Sequence, residues 1–161
     1  MPNYRRPKVD GATIFFTVAL ADRRSDALIR NIDALREAVQ LTKSERPFRI
    51  EAWVVLPDHL HCIWRLPEGD CDYSTRWRVI KSRFSRNLSK RGLRKSNVDR
   101  FERGVWQRRF WDHHIRSQED FDGHLRYCWF NPVKHGFVER PEDWVFSSVH
   151  RDVRFDGSIG A

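Results

Sequence analysis

The sequence contains no apolar run that approaches the roughly 18 residues needed for a membrane-spanning helix. Its N-terminal segment, MPNYRRPKVDG, has no apolar core and so does not resemble a secretory signal peptide. The three cysteines, Cys62, Cys71 and Cys128, are odd in number and form no C-x-x-C pair. These absences argue against a membrane protein, a disulfide framework and a four-cysteine zinc site, and they indicate a cytoplasmic protein.

The chain has the length and composition of one globular domain. Its 161 residues are 40% apolar and 13% aromatic, which allows a sizeable core and argues against a disordered chain. We therefore predict a single domain over residues 1–161, with flexible tails at 1–12 and 151–161.

Positive charge is concentrated in the middle of the sequence. Residues 76–109 contain thirteen Lys and Arg but two acidic residues, a local charge of +11 in a chain whose total is +8. Such a segment on a slightly acidic body indicates a polyanion-binding surface, for which nucleic acid is a better candidate than anionic lipid. The simpler alternative is a solvated helix face that binds nothing.

Changes in apolar periodicity along the chain predict the element order β-α-β-β-α-β-α. Four segments rich in β-branched and aromatic residues are predicted strands: residues 13–20, 48–56, 59–66 and 105–115. The last of these could also be an extended segment outside the sheet. Helices are predicted after Ser25, over residues 74–91 and after Ser117, because apolar residues recur there at spacings of three and four. The first six elements match the ferredoxin-like split β-α-β pattern, an α+β fold in which helices back an antiparallel sheet and the third strand is central.

The helix predicted over residues 74–91 is amphipathic and basic. Trp77, Ile80, Phe84 and Leu88 form its predicted inner stripe. We predict DNA contacts from the remainder of this helix and from the beginning of segment 105–115: Arg76, Lys81, Arg83, Arg86, Lys90, Arg108 and Arg109.

The stretch LPDHLHCIW places two histidines one residue apart at the start of the third predicted strand. Because side chains alternate along a strand, His59 and His61 point to the same face and can bind one metal ion together. They could equally be surface residues of an edge strand, and the local residues do not decide between the two. His113 and His114 alternate faces and are predicted to be structural.

The last predicted helix carries Tyr127 and Asn131, four residues apart. If the helix continues that far, the two share one face, opposite the apolar row that begins at Phe121 and ends at Trp129. A tyrosine hydroxyl beside a bound divalent ion and a basic groove can attack a phosphodiester. The alternatives are an aromatic residue at the edge of the core for Tyr127 and, for Asn131 before Pro132, the cap of a following helical segment.

Three segments taken together carry a resemblance: VVLPDHLHCIWRLP, GVWQRRFWDHHIRSQEDFDGHLRYCWFNPVKHGFV and PEDWVFSSVHR. The H-x-H, W-Q-x-R-F-W and Y-x-x-x-N-P-V-K motifs occur in this order. From about residue 13 to residue 150 the chain resembles the REP-associated tyrosine transposases, within the single-tyrosine HUH nuclease superfamily. This resemblance implies the same ferredoxin-like fold that the element order predicts.

The resemblance also implies a Mg²⁺- or Mn²⁺-dependent enzyme that cleaves and rejoins single-stranded DNA. The implied intermediate is a covalent 5′-phosphotyrosine, with a free 3′-hydroxyl left behind. The implied partner is single-stranded or hairpin DNA with REP-like palindromic repeats, bound by a monomer or homodimer. By position, His59 and His61 become the metal-binding pair, Tyr127 the nucleophile and Asn131 the third metal ligand on a C-terminal catalytic helix.

Two other functions fit parts of the sequence. A non-catalytic nucleic-acid-binding protein on the same fold would bind DNA unchanged and without metal. A histidine-triad nucleotide hydrolase would carry a third histidine at position 63, where this chain has Ile63, and this difference argues against it. A covalent protein–DNA adduct would distinguish the nuclease from the binding protein.

Overall fold

A four-stranded antiparallel sheet forms the centre of the computed structural model, which describes residues 6–89 and 104–152. Its strands are β1 Thr13–Ala19, β2 Arg49–Val55, β3 His59–Arg65 and β4 Trp111–His114. Their order across the sheet is β2-β3-β1-β4, and every neighbouring pair is antiparallel. This topology confirms the predicted α+β fold with its split β-α-β unit, and it places β3 in the interior of the sheet.

Within those two ranges the chain forms four α-helices and two short 3₁₀ turns. The helices are α1 Ala27–Arg30, α2 Ile32–Glu45, α3 Tyr73–Ser89 and α4 Gln118–Lys134. The turns, Pro141–Asp143 and Ser148–Arg151, follow α4. In this described part of the chain, no helix has the length and apolar character that crossing a membrane requires.

The two faces of the sheet bury different cores. On β3, Leu60, Cys62 and Trp64 belong to the core formed with α2 and α3. Ile63 points the other way and packs in a second core with α4. His59 and His61 share the face of Ile63, because side chains on a strand alternate. Helices α2 and α3 therefore lie across the sheet from α4.

The apolar spacing of α3 explains how this helix packs. Its predicted inner stripe, Trp77, Ile80, Phe84 and Leu88, is buried at 5% exposure or less. Trp77 stacks on Trp64 of β3 with ring centroids 4.4 Å apart. The prediction for the inner stripe is confirmed, and the helix axis is fixed against the sheet by its aromatic side chains.

Two predicted elements differ from the structure. The helix predicted after Ser25 is divided between α1 and α2, because Asn31 leaves the helical conformation and its side chain donates to the Ala27 carbonyl at 2.9 Å. The fourth strand is shorter than predicted. Trp106 forms one isolated bridge with Leu20, the residue after β1, and Phe110 turns its ring onto the first core before β4 begins.

Parts of both predicted tails, and residues 90–103 with Lys90, lie outside the described residues. The described N-terminal part is held against β4. There Arg6 pairs with Asp112, and its guanidinium lies 3.9 Å from the centroid of the Phe110 ring. These contacts attach the segment from Arg6 onward to the sheet.

Candidate active site

Strand β3 presents His59 and His61 on the sheet face that α4 covers. Their ring centroids are 4.9 Å apart, and the two residues are buried, at 5% and 3% exposure. Since β3 is an interior strand, the alternative of two surface residues on an edge strand is wrong.

Each of the two rings is oriented through its Nδ1 atom. His61 Nδ1 lies 2.7 Å from Oγ1 of Thr17, its partner residue on β1. His59 Nδ1 lies 2.8 Å from Oδ1 of Asp58, and the other carboxylate oxygen of Asp58 pairs with Arg23. With Nδ1 engaged in both rings, Nε2 is the nitrogen available to bind an ion.

The surroundings of the pair favour a neutral His61 and an ionised Asp58. Burial, together with the positive charges of His59 and His135, lowers the pKa of His61 to about 3. A neutral imidazole keeps the lone pair that a metal ligand needs. Burial acts to raise the pKa of Asp58, but hydrogen bonds from Arg23 and His59 outweigh it and hold the pKa below its ordinary value.

Helix α4 brings one row of side chains to the histidine pair. Tyr127, Asn131 and His135 follow one another at spacings of four, so they occupy successive turns of one helix face. The Tyr127 ring meets the His61 ring edge-on at 5.0 Å, and the His135 ring lies 5.4 Å from the His59 ring. Asn131 lies between these two contacts and therefore faces the pair.

The sequence of α4 explains its start but not which side it buries. Oγ of Ser117 accepts the Asp120 N–H at 3.0 Å, which confirms the predicted cap. The helix runs through Pro132, so Asn131 does not cap a separate segment.

The placement of Tyr127 and Asn131 opposite the apolar row is also wrong. Asn131 is buried at 1% exposure because the helix buries a broad side, and Tyr127 lies on the flank of that side, 40% exposed.

Several buried polar atoms beside the histidine pair have no hydrogen-bond partner within the described residues. They are Nε2 of His61 and both side-chain amide atoms of Asn131. An unpaired buried polar atom costs about 1–3 kcal/mol, so these atoms fit a site that receives an ion. His59, His61 and Asn131 offer two imidazole nitrogens and a carbonyl oxygen, donors that divalent cations accept.

A second cluster of possible ligand atoms lies close by. One donor atom each from His113, Asp120 and His124 falls within 4.8 Å of the others. The Asp120 carboxylate is 2.9 Å from Nε2 of His113, and the Asp120 carbonyl is 2.8 Å from Nδ1 of His124. Because hydrogen bonds already satisfy these atoms, this cluster fits an ion less well than the pair on β3 does.

Arg76 does not face solvent as predicted. It is 2% exposed, and two of its nitrogens bind the Asp70 carboxylate at 3.0 and 2.8 Å. The same guanidinium donates to the carbonyls of Arg46, Pro47 and Asp72. The prediction of a DNA contact is wrong for this residue, because its donors tie α3 to the neighbouring loops.

The other predicted DNA contacts on α3 lie across the sheet from α4 and have partners within the fold. Lys81 donates to the Gln107 carbonyl at 3.1 Å, and burial lowers its pKa to about 8. Arg83 grips both carboxylate oxygens of Glu45, at 2.6 and 2.7 Å. Arg86 is exposed.

Arg108 and Arg109 lie at the end of the sheet that carries the histidines. Both are exposed, and they just precede β4. The first residue of β4, Trp111, pairs with Thr17, which in turn pairs with His61. These two arginines therefore lie nearer to the histidine pair in the fold than their distance along the chain indicates.

Some residues of the site were not found from the sequence. Thr17 and Asp58 orient the two imidazoles, and His135 contacts one of them. Asp58 could have been found from its place directly before His59, and His135 from the spacing of four after Asn131. The role of Thr17 depends on the register between β1 and β3, which local sequence does not give.

The chain closely matches individual proteins of one family, although no protein-family model matches it. A REP-associated tyrosine transposase of Escherichia coli (strain K12) is 49% identical to it over 153 residues, which are 95% of this chain and 86% of that protein. The chain belongs to the REP-associated tyrosine transposases.

Two further similarities agree with this membership. A relative in Haemophilus influenzae is 44% identical over 156 residues, covering 96% of this chain and 89% of the relative. A solved structure of a REP-associated tyrosine transposase bound to a REP hairpin aligns with a TM-score of 0.85 at 48% identity, over 96% of this chain and 86% of the other. The resemblance, the fold and the enzyme class are confirmed, and both the hydrolase and the non-catalytic alternatives are wrong for this transposase.

Proposed function

We propose that this transposase is a metal-dependent single-stranded DNA endonuclease and strand transferase, acting at hairpin-forming repeats through a covalent 5′-phosphotyrosine on Tyr127. The observation that carries the proposal is the contact of the half-exposed Tyr127 ring with His61, at 5.0 Å. A nucleophile beside donors for a divalent ion is the combination that phosphodiester transfer needs. The REP hairpin bound by the structural relative supports hairpin DNA as the substrate.

In the first step the Tyr127 hydroxyl oxygen attacks the scissile phosphorus. An Oη–P bond forms while the bond from phosphorus to the 3′-oxygen breaks. The downstream strand stays attached to Tyr127 by its 5′-phosphate, and the upstream strand leaves with a 3′-hydroxyl, which takes up one proton as Tyr127 loses one. Attack by a second 3′-hydroxyl reverses the step and rejoins DNA.

His59, His61 and Asn131 would hold Mg²⁺ or Mn²⁺. When bound, the ion would polarise the scissile phosphate and offset its charge. Burial and the hydrogen bonds to Thr17 and Asp58 fix the two imidazoles in advance, so they do not have to reorganise when the DNA binds.

Positive side chains around Tyr127 would stabilise the charge that develops during attack. The ammonium nitrogen of Lys134 lies 5.2 Å from the centroid of the Tyr127 ring. This contact places a positive charge beside the proposed nucleophile, where it would offset the negative charge of the scissile phosphate. Arg108 and Arg109 extend the positive surface on which the backbone of the single strand would lie.

A gel experiment tests the proposal through the adduct itself. A hairpin with single-stranded extensions is labelled at its 3′ end, because only the downstream strand stays on the protein, and is incubated with Mn²⁺. We expect a label that migrates with the protein on a denaturing gel for the wild type and none for Tyr127→Phe. Hairpin affinity should be the same for both.

The other two tyrosines provide matched controls. Tyr4→Phe and Tyr73→Phe should form the adduct, since only one tyrosine hydroxyl is proposed to attack. His61→Ala should abolish the adduct while most of the DNA affinity remains. An adduct formed by Tyr127→Phe at the wild-type rate would show that the nucleophile is a different residue.

A further inference from the structure

A pocket of about 330 Å³ opens beside Tyr127. Its lining comes from β1, β4 and α4: Phe15, Thr17, Trp111, Gly123, His124 and Tyr127. The Phe15 ring forms its floor, with the His124 ring 4.7 Å away and the Tyr127 ring 5.8 Å away. The pocket is therefore walled mainly by flat rings and borders on the proposed nucleophile.

Trp111 is the unusual member of this lining. It is 66% exposed, whereas the other six tryptophans are buried or half-buried. No ring contact of Trp111 occurs among the residues that the structure describes. A large exposed aromatic side chain next to a reactive residue indicates a binding surface, and its exposure means that the fold does not depend on it.

The polar wall of the pocket is held in one orientation. Nδ1 of His124 lies 2.8 Å from the Asp120 carbonyl and 3.0 Å from the Asp120 carboxylate, so it is the donor nitrogen of the ring. His113 binds the same carboxylate and stacks on His124 with ring centroids 4.5 Å apart. In the tautomer with its proton on Nδ1, the other nitrogen of His124, Nε2, is an acceptor on the opposite edge of the ring.

Exposed arginines lie close in sequence to residues that line the pocket. Arg126 is exposed and directly precedes Tyr127, and Arg108 and Arg109 are exposed just before β4. An occupant that offers a flat ring to the pocket and negative charge to these arginines fits this arrangement. A nucleotide of a single strand has both, because each base has a π-face and each backbone unit a phosphate.

We propose that this pocket holds a nucleobase of the single-stranded DNA next to the scissile phosphate, stacked on Trp111. The inference rests on the proposed function, since it places that strand across Tyr127. Stacking would fix the position of the phosphate relative to the Tyr127 hydroxyl, and the acceptor of His124 would face the edge of the base.

Fluorescence of a base analogue tests the site. A REP hairpin with single-stranded extensions carries 2-aminopurine at one position at a time and is bound by Tyr127→Phe, which does not cleave. We expect quenching at one position next to the cleavage site, lost when Trp111→Ala is added and kept with Trp111→Phe. Affinity for the extended hairpin should fall by roughly 5- to 150-fold with Trp111→Ala, as for the loss of one base–aromatic stack.

Two controls isolate the stack. Trp111→Ala should leave the affinity for a hairpin without extensions unchanged. Leu41→Ala removes a large exposed apolar side chain from α2, 46% exposed, and should change neither quenching nor affinity. Equal affinity and equal quenching in the presence and absence of the Trp111 ring would overturn the inference.

The readouts separate this inference from the proposed chemistry. Quenching and affinity report binding and need no cleavage. Trp111-dependent quenching in a protein that forms no adduct would support the base site and refute the covalent mechanism. Adduct formation that Trp111→Ala leaves at the wild-type rate, without Trp111-dependent quenching, would support the mechanism and refute the base site.

Discussion

Asp58 contacts both the imidazole of His59 and the guanidinium of Arg23 and so links their positions. Carboxylates that hold a ligand histidine in place commonly change metal affinity by roughly 10- to 100-fold when they are removed. We expect Asp58→Ala to weaken Mn²⁺ binding by this order, measured by isothermal titration calorimetry. Asp22→Ala is the control, because Asp22 is exposed and pairs with Arg24. Wild-type Mn²⁺ affinity in Asp58→Ala would contradict the assigned role.

Arg76 is a structural residue, with a guanidinium that is buried and fully engaged. Its removal takes the guanidinium donor from Asp70, which keeps a bond from the Asp72 N–H, and from three carbonyl groups. We expect Arg76→Ala to lower the free energy of unfolding by roughly 2–4 kcal/mol, somewhat less than for a fully buried pair, because Asp70 is partly exposed. Urea denaturation measures the change.

The matched control for this stability prediction is Arg78→Ala, which removes an exposed arginine from the same helix. A surface change of this kind should stay within about 0.5 kcal/mol of the wild type. Equal unfolding free energies for Arg76→Ala and Arg78→Ala would show that the bonds of Arg76 contribute little to stability.

At the level of elements, two basic segments are candidates for contact with the DNA backbone. They are α3 and the segment before β4. Arg83 is held by Glu45, whereas Arg108 and Arg109 are exposed near the histidine end of the sheet. Each phosphate contact on a single strand contributes about 0.7 to the slope of log affinity against log salt. We expect Arg108→Gln with Arg109→Gln to flatten this slope by roughly one unit.

The comparison variant for the salt series is Arg83→Gln with Arg86→Gln, which removes the same charge from α3. We expect a smaller change of slope here, since Arg83 already has a carboxylate partner. Binding titrations over a range of salt concentration give both slopes. A larger change for the α3 variant would place the DNA backbone along α3 instead.

Element boundaries show how far local sequence reaches. Apolar spacing predicted the inner stripe of α3, and the residue type of Ser117 predicted the cap of α4. Both features depend on contacts within a turn or between a helix and its nearest neighbour. The interruption at Asn31 was not predicted. Asparagine is tolerated inside helices, and its bond to the Ala27 carbonyl forms only in this conformation.

At the scale of the whole molecule, every side chain of the proposed site belongs to one chain. Tyr127 contacts His61 of the same chain at 5.0 Å, so the proposed first cleavage step would need no residue of a second chain. We expect a mixture of Tyr127→Phe and His61→Ala proteins, each inactive alone, to form no adduct with hairpin DNA. The denaturing gel described above measures it.

The mixing experiment needs a positive control, in which wild type diluted with Tyr127→Phe protein forms adduct in proportion to its share. Restored adduct in the mixture of the two inactive variants would show that the tyrosine of one chain acts at the histidines of another. The oligomeric state would then be part of the mechanism.

Local sequence was sufficient to predict the element order, the shared face of His59 and His61, and the spacing of Tyr127 and Asn131 on one helix. These features follow from local periodicity, which is two on a strand and 3.6 on a helix. The motifs also carried the family resemblance. Each element and each motif is recognised from residues that lie within a few positions of one another, and the resemblance adds the order of the motifs along the chain.

Which of these residues contact one another, and which are buried, depends on tertiary packing. It placed β3 inside the sheet, so the histidine pair is buried, and it set α4 across the sheet from α3. It also buried Arg76, which the charge pattern had assigned to DNA. Strand order, register and the face on which a helix packs depend on contacts between distant segments, and the local pattern of an amphipathic helix is the same on either face of a sheet.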